Sequence, residues 1–285
     1  MLIENKEIDN GFLYYNLDEK YLNHCYLCAS TINNNELLSA SFSKMYNLLN
    51  YEDFSKIVPY WEIKDISKVF CDNMIPFVTN LLIVLGYKAH QDNMFRKKLD
   101  AEQISIHKKR VRECFLNDLK TGLISARTSQ MLWAYYFIRV KIVEIGRLQY
   151  EYFKEENNAS IKIHIPVNGK LNYNNVILSL KESKNYLKKL FNIDDDIDYI
   201  CDSWLLSREV YNILSPNSNI KKFYNLFNVS PLSNCLEDIL KYVYQCYECN
   251  DFSKLSEDTT LQREIKRMLI SGVHFHSGRG ILKKN

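Results

Sequence analysis

The segment IKIHIPVNGKLNYNNVILSLKESKNYLKKLF, residues 161–191, decides the fold. Ile161, Ile163 and Ile165 alternate with Lys162 and His164, the period of two expected of a half-buried strand. Pro166 to Lys170 punctuates the run, and Asn172 or its neighbours can cap a helix from about Tyr173 to Phe191. Val176, Leu178, Leu180, Tyr186, Leu187 and Leu190 supply most of that helix's apolar surface. A strand, a short polar loop and a long helix in this order point to a mixed α/β domain.

The same grammar extends to both sides. Ile142 to Phe153 concentrates β-formers, and the turn-like Glu155-Glu156-Asn157-Asn158 separates it from the strand at Ile161. Downstream, Asp194-Asp195-Asp196 leads into a third strand at about Tyr199 to Leu205, and Ser207 can cap a short helix holding Val210, Tyr211 and Leu214. Pro216 to Asn219 is a polar turn before Ile220 to Val229, whose last part (Phe223, Leu226, Phe227, Val229) reads as a strand. Helices follow at about Leu236 to Tyr247 and Thr259 to Ile270, and Val273 to His276 alternates like a strand. Ser277-Gly278-Arg279-Gly280 looks like a phosphate-cradling loop, yet no helix follows it, so it reads as a mobile terminal turn.

Residues from about Leu17 to Ser129 show helical periodicity and almost no β-type alternation, so the fold class is α+β: an all-helical domain over 1–130 and a mixed α/β domain over 131–285. Val58-Pro59-Tyr60-Trp61 interrupts the helical half with a turn. Pro76 can open a helix through Phe77 to Leu85, which Gly86 stops. Asp100 to Leu123 is a strongly amphipathic basic helix whose apolar stripe faces a core. Trp133, Tyr135, Tyr136 and Phe137 then mark a junction packed with aromatics.

At 285 residues the chain suits two domains, and 46% hydrophobic against 25% charged residues is an ordinary globular balance. A net charge of +3 is too small for a dedicated nucleic-acid binder. The run from Phe77 to Leu85 is far short of the ~20 apolar residues that a membrane helix needs. With no secretion signal visible, the expected compartment is the cytoplasm, where the eight cysteines stay reduced. Cys25-x-x-Cys28 and Cys246-x-x-Cys249 are formally two halves of a zinc site, but both intervening pairs look helical, and cysteines three apart on a helix are core residues. No metal is expected.

Three places can carry chemistry. The loop Asn168-Gly169-Lys170 sits between strand and helix, where backbone N–H groups and the helix dipole favour a phosphate, unless it is an ordinary turn. In Cys201-Asp202-Ser203-Trp204, Asp202 fits a general base or a capping carboxylate, and Ser203 and Trp204 would border a ligand crevice at the strand's end. Tyr211, on the next helix, fits an acid or a core aromatic, and His164 is the alternative base. No Gly-x-Ser-x-Gly elbow surrounds Ser203, and no local base activates Ser203 or Cys201 for hydrolysis.

Gly146-Arg147-Leu148-Gln149-Tyr150-Glu151, Ile163-His164-Ile165-Pro166 with Gly169 and Leu171, Cys201 to Leu206, and Ser218 through Phe223 together resemble a bacterial acyltransferase-like family. Asp258 to Arg263 and Gly272 to Gly280 also fit. Its members join a helical N-acyltransferase domain to a GNAT-like domain, named for the general N-acetyltransferase superfamily. The resemblance implies a sheet with two splayed central strands holding acyl-CoA or acetyl-CoA, and a small-molecule or peptide acceptor. It implies donor contacts from Asn168, Gly169 and Lys170, a base in Asp202 or His164, an acid in Tyr211, and substrate contacts from Ser203, Trp204, Arg147 and Gln149. The superfamily's Gln/Arg-x-x-Gly-x-Gly/Ala loop is missing after Pro166, and Phe275-x-x-Gly278-x-Gly280 has Phe where Gln or Arg belongs. That departure leaves a catalytically inactive, ligand- or protein-binding module as the alternative.

Overall fold

Local sequence signals set most of the elements. The structure, a computed structural model, describes all residues except Met1, 51–68, 71–74, Pro76, 122–130, Glu156, Asn157, Asn168, 194–196, Tyr247, Glu248 and Asn285. The turn expected at Val58 to Trp61 lies outside the described residues. The chain forms two compact units, Met1–Val143 and Glu144–Asn285.

The first unit is helical: α1 (Asn5–Tyr15), α2 (Leu22–Asn33), α3 (Glu36–Asn50), α4 (Val78–Leu85), α5 (Tyr87–Arg96), α6 (Ala101–Thr121) and α7 (Met131–Ile138). Every residue of α4 is buried, as a helix apolar all round apart from Thr79 and Asn80 must be. Its one amide, Asn80, donates from Nδ2 to the Phe115 carbonyl at 2.8 Å, so the buried polar group costs little. Cys25 and Cys28 lie on the buried face of α2, and burial pushes both thiols up to about 12. Tyr15 and His90 meet in the same core, with the tyrosine hydroxyl 3.2 Å from Nδ1.

The second unit is built on a six-stranded sheet in the order β1-β2-β3-β4-β6-β5. The strands are β1 (Ile142–Ile145), β2 (Leu148–Glu155), β3 (Asn158–His164), β4 (Asp198–Ser203), β5 (Phe227–Asn234) and β6 (His276–Leu282). Its helices are α8 (Tyr173–Phe191), α9 (Arg208–Ile213), α10 (Asn219–Tyr224), α11 (Leu236–Val243) and α12 (Thr260–Ile270). The stretch read as one strand from Ile142 divides at Gly146, whose φ of +59° suits glycine and turns the chain into a hairpin. Phe223 belongs to helix α10 rather than to a strand, because Ser218 to Tyr224 closes a helical turn before β5 begins.

Asn172 caps α8 as expected, its Oδ1 accepting from the Asn174 and Asn175 N–H groups. The buried stripe of α8 is Val176, Ser179, Leu180, Ser183 and Leu187, whereas Leu178 is exposed. At 100° per residue Leu178 points away from this stripe, and the two serines let the helix lie close to the sheet. The fully buried Ser179 ties helix to hairpin: its hydroxyl donates to the Ile145 carbonyl, accepts from Leu148 N–H at 3.3 Å, and meets the Tyr150 hydroxyl at 2.8 Å.

The tail reading is corrected most clearly. Ser277 to Gly280 is no mobile turn but part of β6, which lies between β4 and β5. A Cβ on Gly278 would stand 2.2 Å from the Leu206 carbonyl oxygen, and one on Gly280 would stand 2.7 Å from Leu206 Cδ1. Glycine is there because the 3-10 turn Trp204–Leu206 sits directly on the strand, not because a phosphate approaches. A smaller core of Val210, Cys235, Ile239, Leu240, Leu255, Ile265, Leu269 and Phe275 gathers α9, α11 and α12 beside this turn, with Trp204 packed against it.

Candidate functional site

β3 and β4 run parallel, but their pairing covers only Ser160 with Asp198, Ile161 with Tyr199 and Lys162 with Ile200. Beyond that register β3 continues to His164 and β4 to Ser203, while β4 stays paired with β6 through Ser203 and Gly278. The two central strands therefore part at their C-terminal ends, which is where ligands enter open α/β sheets. His164 stands on one side of the gap, and Asp202 and Ser203 on the other.

The pairing of β2 with β3 decides what surrounds His164. Gln149 lies opposite His164 and Glu151 opposite Lys162, so Gln149, Glu151 and His164 share a face, with Glu151 and His164 as diagonal neighbours. Gln149 and Glu151 are buried. The Glu151 carboxylate lies 2.9 Å from His164 Nε2, and Gln149 Nε2 donates to Glu144 at 2.7 Å. The histidine side chain is 26% exposed against 10% for the glutamate, so the imidazole is reachable while its carboxylate is shielded. If Glu151 accepts from Nε2–H, Nδ1 is the ring nitrogen that carries no proton, the tautomer a base needs. Glu151 received no role from the sequence; the pairing of β2 with β3 brings it to His164.

Asp202 faces a different partner. Arg279, its cross-strand neighbour on β6, donates from Nε to Oδ1 at 2.8 Å and from a terminal nitrogen to Oδ2 at 2.7 Å. Both carboxylate oxygens thus brace β4 against β6. Ser203 accepts from Leu205 N–H at 3.1 Å and caps the 3-10 turn that Trp204 opens. Tyr211 lies 4.5 Å from the Tyr224 ring, with the Lys221 ammonium 4.4 Å from its centroid, an aromatic and cationic cluster on α9 and α10. Cys201 is fully buried, and desolvation, with the Asp202 charge adding, raises its thiol far above the ordinary value. A thiol so deeply buried is poorly placed to act as a nucleophile.

The loop between β3 and α8 holds Gly169, with φ +107°, and Lys170, both exposed; Asn168 lies outside the described residues. Arg147, in the β1–β2 turn, reaches this loop from the side. Its Nε donates to the Lys170 carbonyl at 3.0 Å, and one terminal nitrogen donates to the carbonyls of Pro166 at 2.8 Å and Gly169 at 2.9 Å.

Residues 142–282 match the model of the family described as the GNAT-like C-terminal domain. No curated protein matches the sequence. A crystal structure of an acyltransferase in complex with decanoyl-CoA superposes with a TM-score of 0.69 at 14% identity, over 98% of this chain and 99% of that one. A second, of an acyltransferase in complex with CoA and 10C-teicoplanin, gives 0.64 at 14% identity over 97% and 99%. At this identity the likeness speaks for the fold.

Proposed function

We propose, from the premise that residues 142–282 form a GNAT-like C-terminal domain, that the chain is an acyl-CoA-dependent acyltransferase acting on an amine or hydroxyl of a small-molecule acceptor. The observation that carries this reading is the gap opened where β3 and β4 part, with a histidine–glutamate pair at its rim and a strand-to-helix loop beside it. The gap suits the pantetheine arm, and the thioester carbonyl would lie near the end of β3. The loop from Pro166 to Lys170 and the start of α8 suit the diphosphate, with Lys170 adding a charge. Structures of the same fold with decanoyl-CoA, and with CoA and 10C-teicoplanin, support a long-chain donor and a bulky acceptor.

His164 acts as the base, oriented by Glu151. Its Nδ1 takes a proton from the acceptor's amine or hydroxyl as that group attacks the thioester carbonyl, the C–S bond breaks, and coenzyme A leaves as its thiol after taking up a proton. Asp202 is left to its ion pair with Arg279, Tyr211 to its cluster with Tyr224 and Lys221, and Trp204 to the small core beside its turn. Calorimetry with acetyl-, octanoyl- and decanoyl-CoA tests the donor, and binding of none of them would defeat the proposal. His164→Ala should slow thiol release to a panel of amines by about 10²- to 10⁴-fold at unchanged donor affinity. Asp202→Asn should leave the rate within about threefold of wild type. The opposite ranking would move the base to Asp202.

A further inference from the structure

Arg147 makes contacts that its position in an exposed hairpin turn does not require. The hairpin is fixed to α8 through Ser179, and Gly146 is held close, since a Cβ there would come within 3.3 Å of Ser179 Cβ. From this fixed base the guanidinium spans to the β3–α8 loop and takes three main-chain carbonyls, those of Pro166, Gly169 and Lys170. The Lys170 carbonyl also accepts from Asn172 N–H at 2.9 Å; carbonyl dipoles gathered at one point repel one another, and the guanidinium among them offsets that repulsion. A planar fork of five donors suits that position better than an ammonium.

The peptide bonds involved are trans, so each N–H points opposite to its own carbonyl. With the carbonyls of Pro166, Gly169 and Lys170 turned to Arg147, the N–H groups of Val167, Lys170 and Leu171 are turned outward. Among the described residues none of these three N–H groups donates to protein. The loop lacks the repeated glycines that would let it take such a shape unaided, and among its described residues only Gly169 has a positive φ.

We infer that Arg147 is a positioning residue for the acyl donor: it turns the loop's carbonyls inward so that its amides face a diphosphate. This rests on the acyl-CoA reading above. Resemblance assigned Arg147 to direct substrate contact; here it acts through the loop.

The test compares decanoyl-CoA with decanoyl-pantetheine, which lacks the diphosphate, by calorimetry on wild type, Arg147→Ala and Arg147→Lys. Arg147→Ala should weaken decanoyl-CoA by about tenfold and leave decanoyl-pantetheine within about twofold. Arg147→Lys, with the charge but no fork, should fall between. Equal weakening of both donors would reduce Arg147 to general scaffolding, and unchanged affinity for both would remove it from donor binding; either overturns the inference. If wild type binds decanoyl-CoA, these outcomes judge Arg147 alone. If it does not, the donor reading fails first and this inference with it.

Discussion

Gly278→Ala tests the seat of the Trp204–Leu206 turn on β6. The added methyl carbon would stand 2.2 Å from the Leu206 carbonyl oxygen, 2.7 Å from Val229 Cγ1 and 2.8 Å from Leu206 Cβ. The first gap is short of ordinary van der Waals contact by about 1 Å, and no rotamer relieves it, because the obstructing atom is backbone. The turn cannot easily retreat: Ser203 caps its start, and Ser207, accepting from Val210 N–H at 3.4 Å, caps the helix that follows. Nor can β6, which is bonded to β4 on one side and β5 on the other. Overpacking of this kind costs about 3 kcal/mol or more. Gly280→Ala meets Leu206 Cδ1 at 2.7 Å, which can rotate away, and Phe227 Cβ at 2.8 Å, which is held by its backbone but is not itself backbone, so a smaller loss of about 1 to 2 kcal/mol is expected. Urea unfolding of both variants, followed by far-UV circular dichroism, should show a lower midpoint at unchanged slope, Gly278→Ala the lower of the two. A loss for Gly278→Ala under about 0.5 kcal/mol, or the reverse order, would refute the packing described.

Two further outcomes follow from burial. The Cys201 thiol, fully buried and pushed upward by desolvation, should be alkylated by iodoacetamide on the order of 10²-fold more slowly than the partly exposed Cys249 in the native protein at pH 8, as followed by mass spectrometry; comparable rates would place Cys201 at the surface. Desolvation, with His107 and Lys108 adding, holds His90 well below its ordinary value, so the folded imidazole stays neutral while the unfolded one takes a proton below about pH 6.5. Stability is therefore complete above that pH and falls by up to about 1.4 kcal/mol for each unit below it. Denaturation at pH 7.5 and 5.5 should show a smaller difference for His90→Gln than for wild type, and equal differences would exclude His90 as the source.

Where a signal was local, the sequence was legible. Alternating isoleucines, the Asn172 cap and the length of α8 were readable because each depends on residues within a few positions of one another. The α+β class followed from where helical period gives way to strand period. The misreadings share a cause. Ser277 to Gly280 looked loose because glycine is expected in turns; its true reason is the backbone of Leu206, some seventy residues away in sequence, a contact no local pattern encodes. Hydrophobicity alone did not show that Leu178 lies off the buried stripe of α8, and Ser179, buried by its bonds to the hairpin, was passed over. For the site, His164 was visible as a histidine on a strand, but its glutamate came only with the β2–β3 register, and the engagement of Asp202 only with β6 beside it.

The placement of β6 also sets an order of events for a growing chain. β5 joins the sheet only through β6, so once made it has no neighbour until roughly forty more residues, including α11 and α12, have been added. β4 likewise waits with one edge open. During that interval both strands are templates for the wrong partner, and closing such distant pairs is slow because the loop entropy is spent before any ladder forms. Assembly of this half therefore closes from its middle, and the bare backbone of Gly278 and Gly280 lets the last strand enter without displacing the Trp204–Leu206 turn.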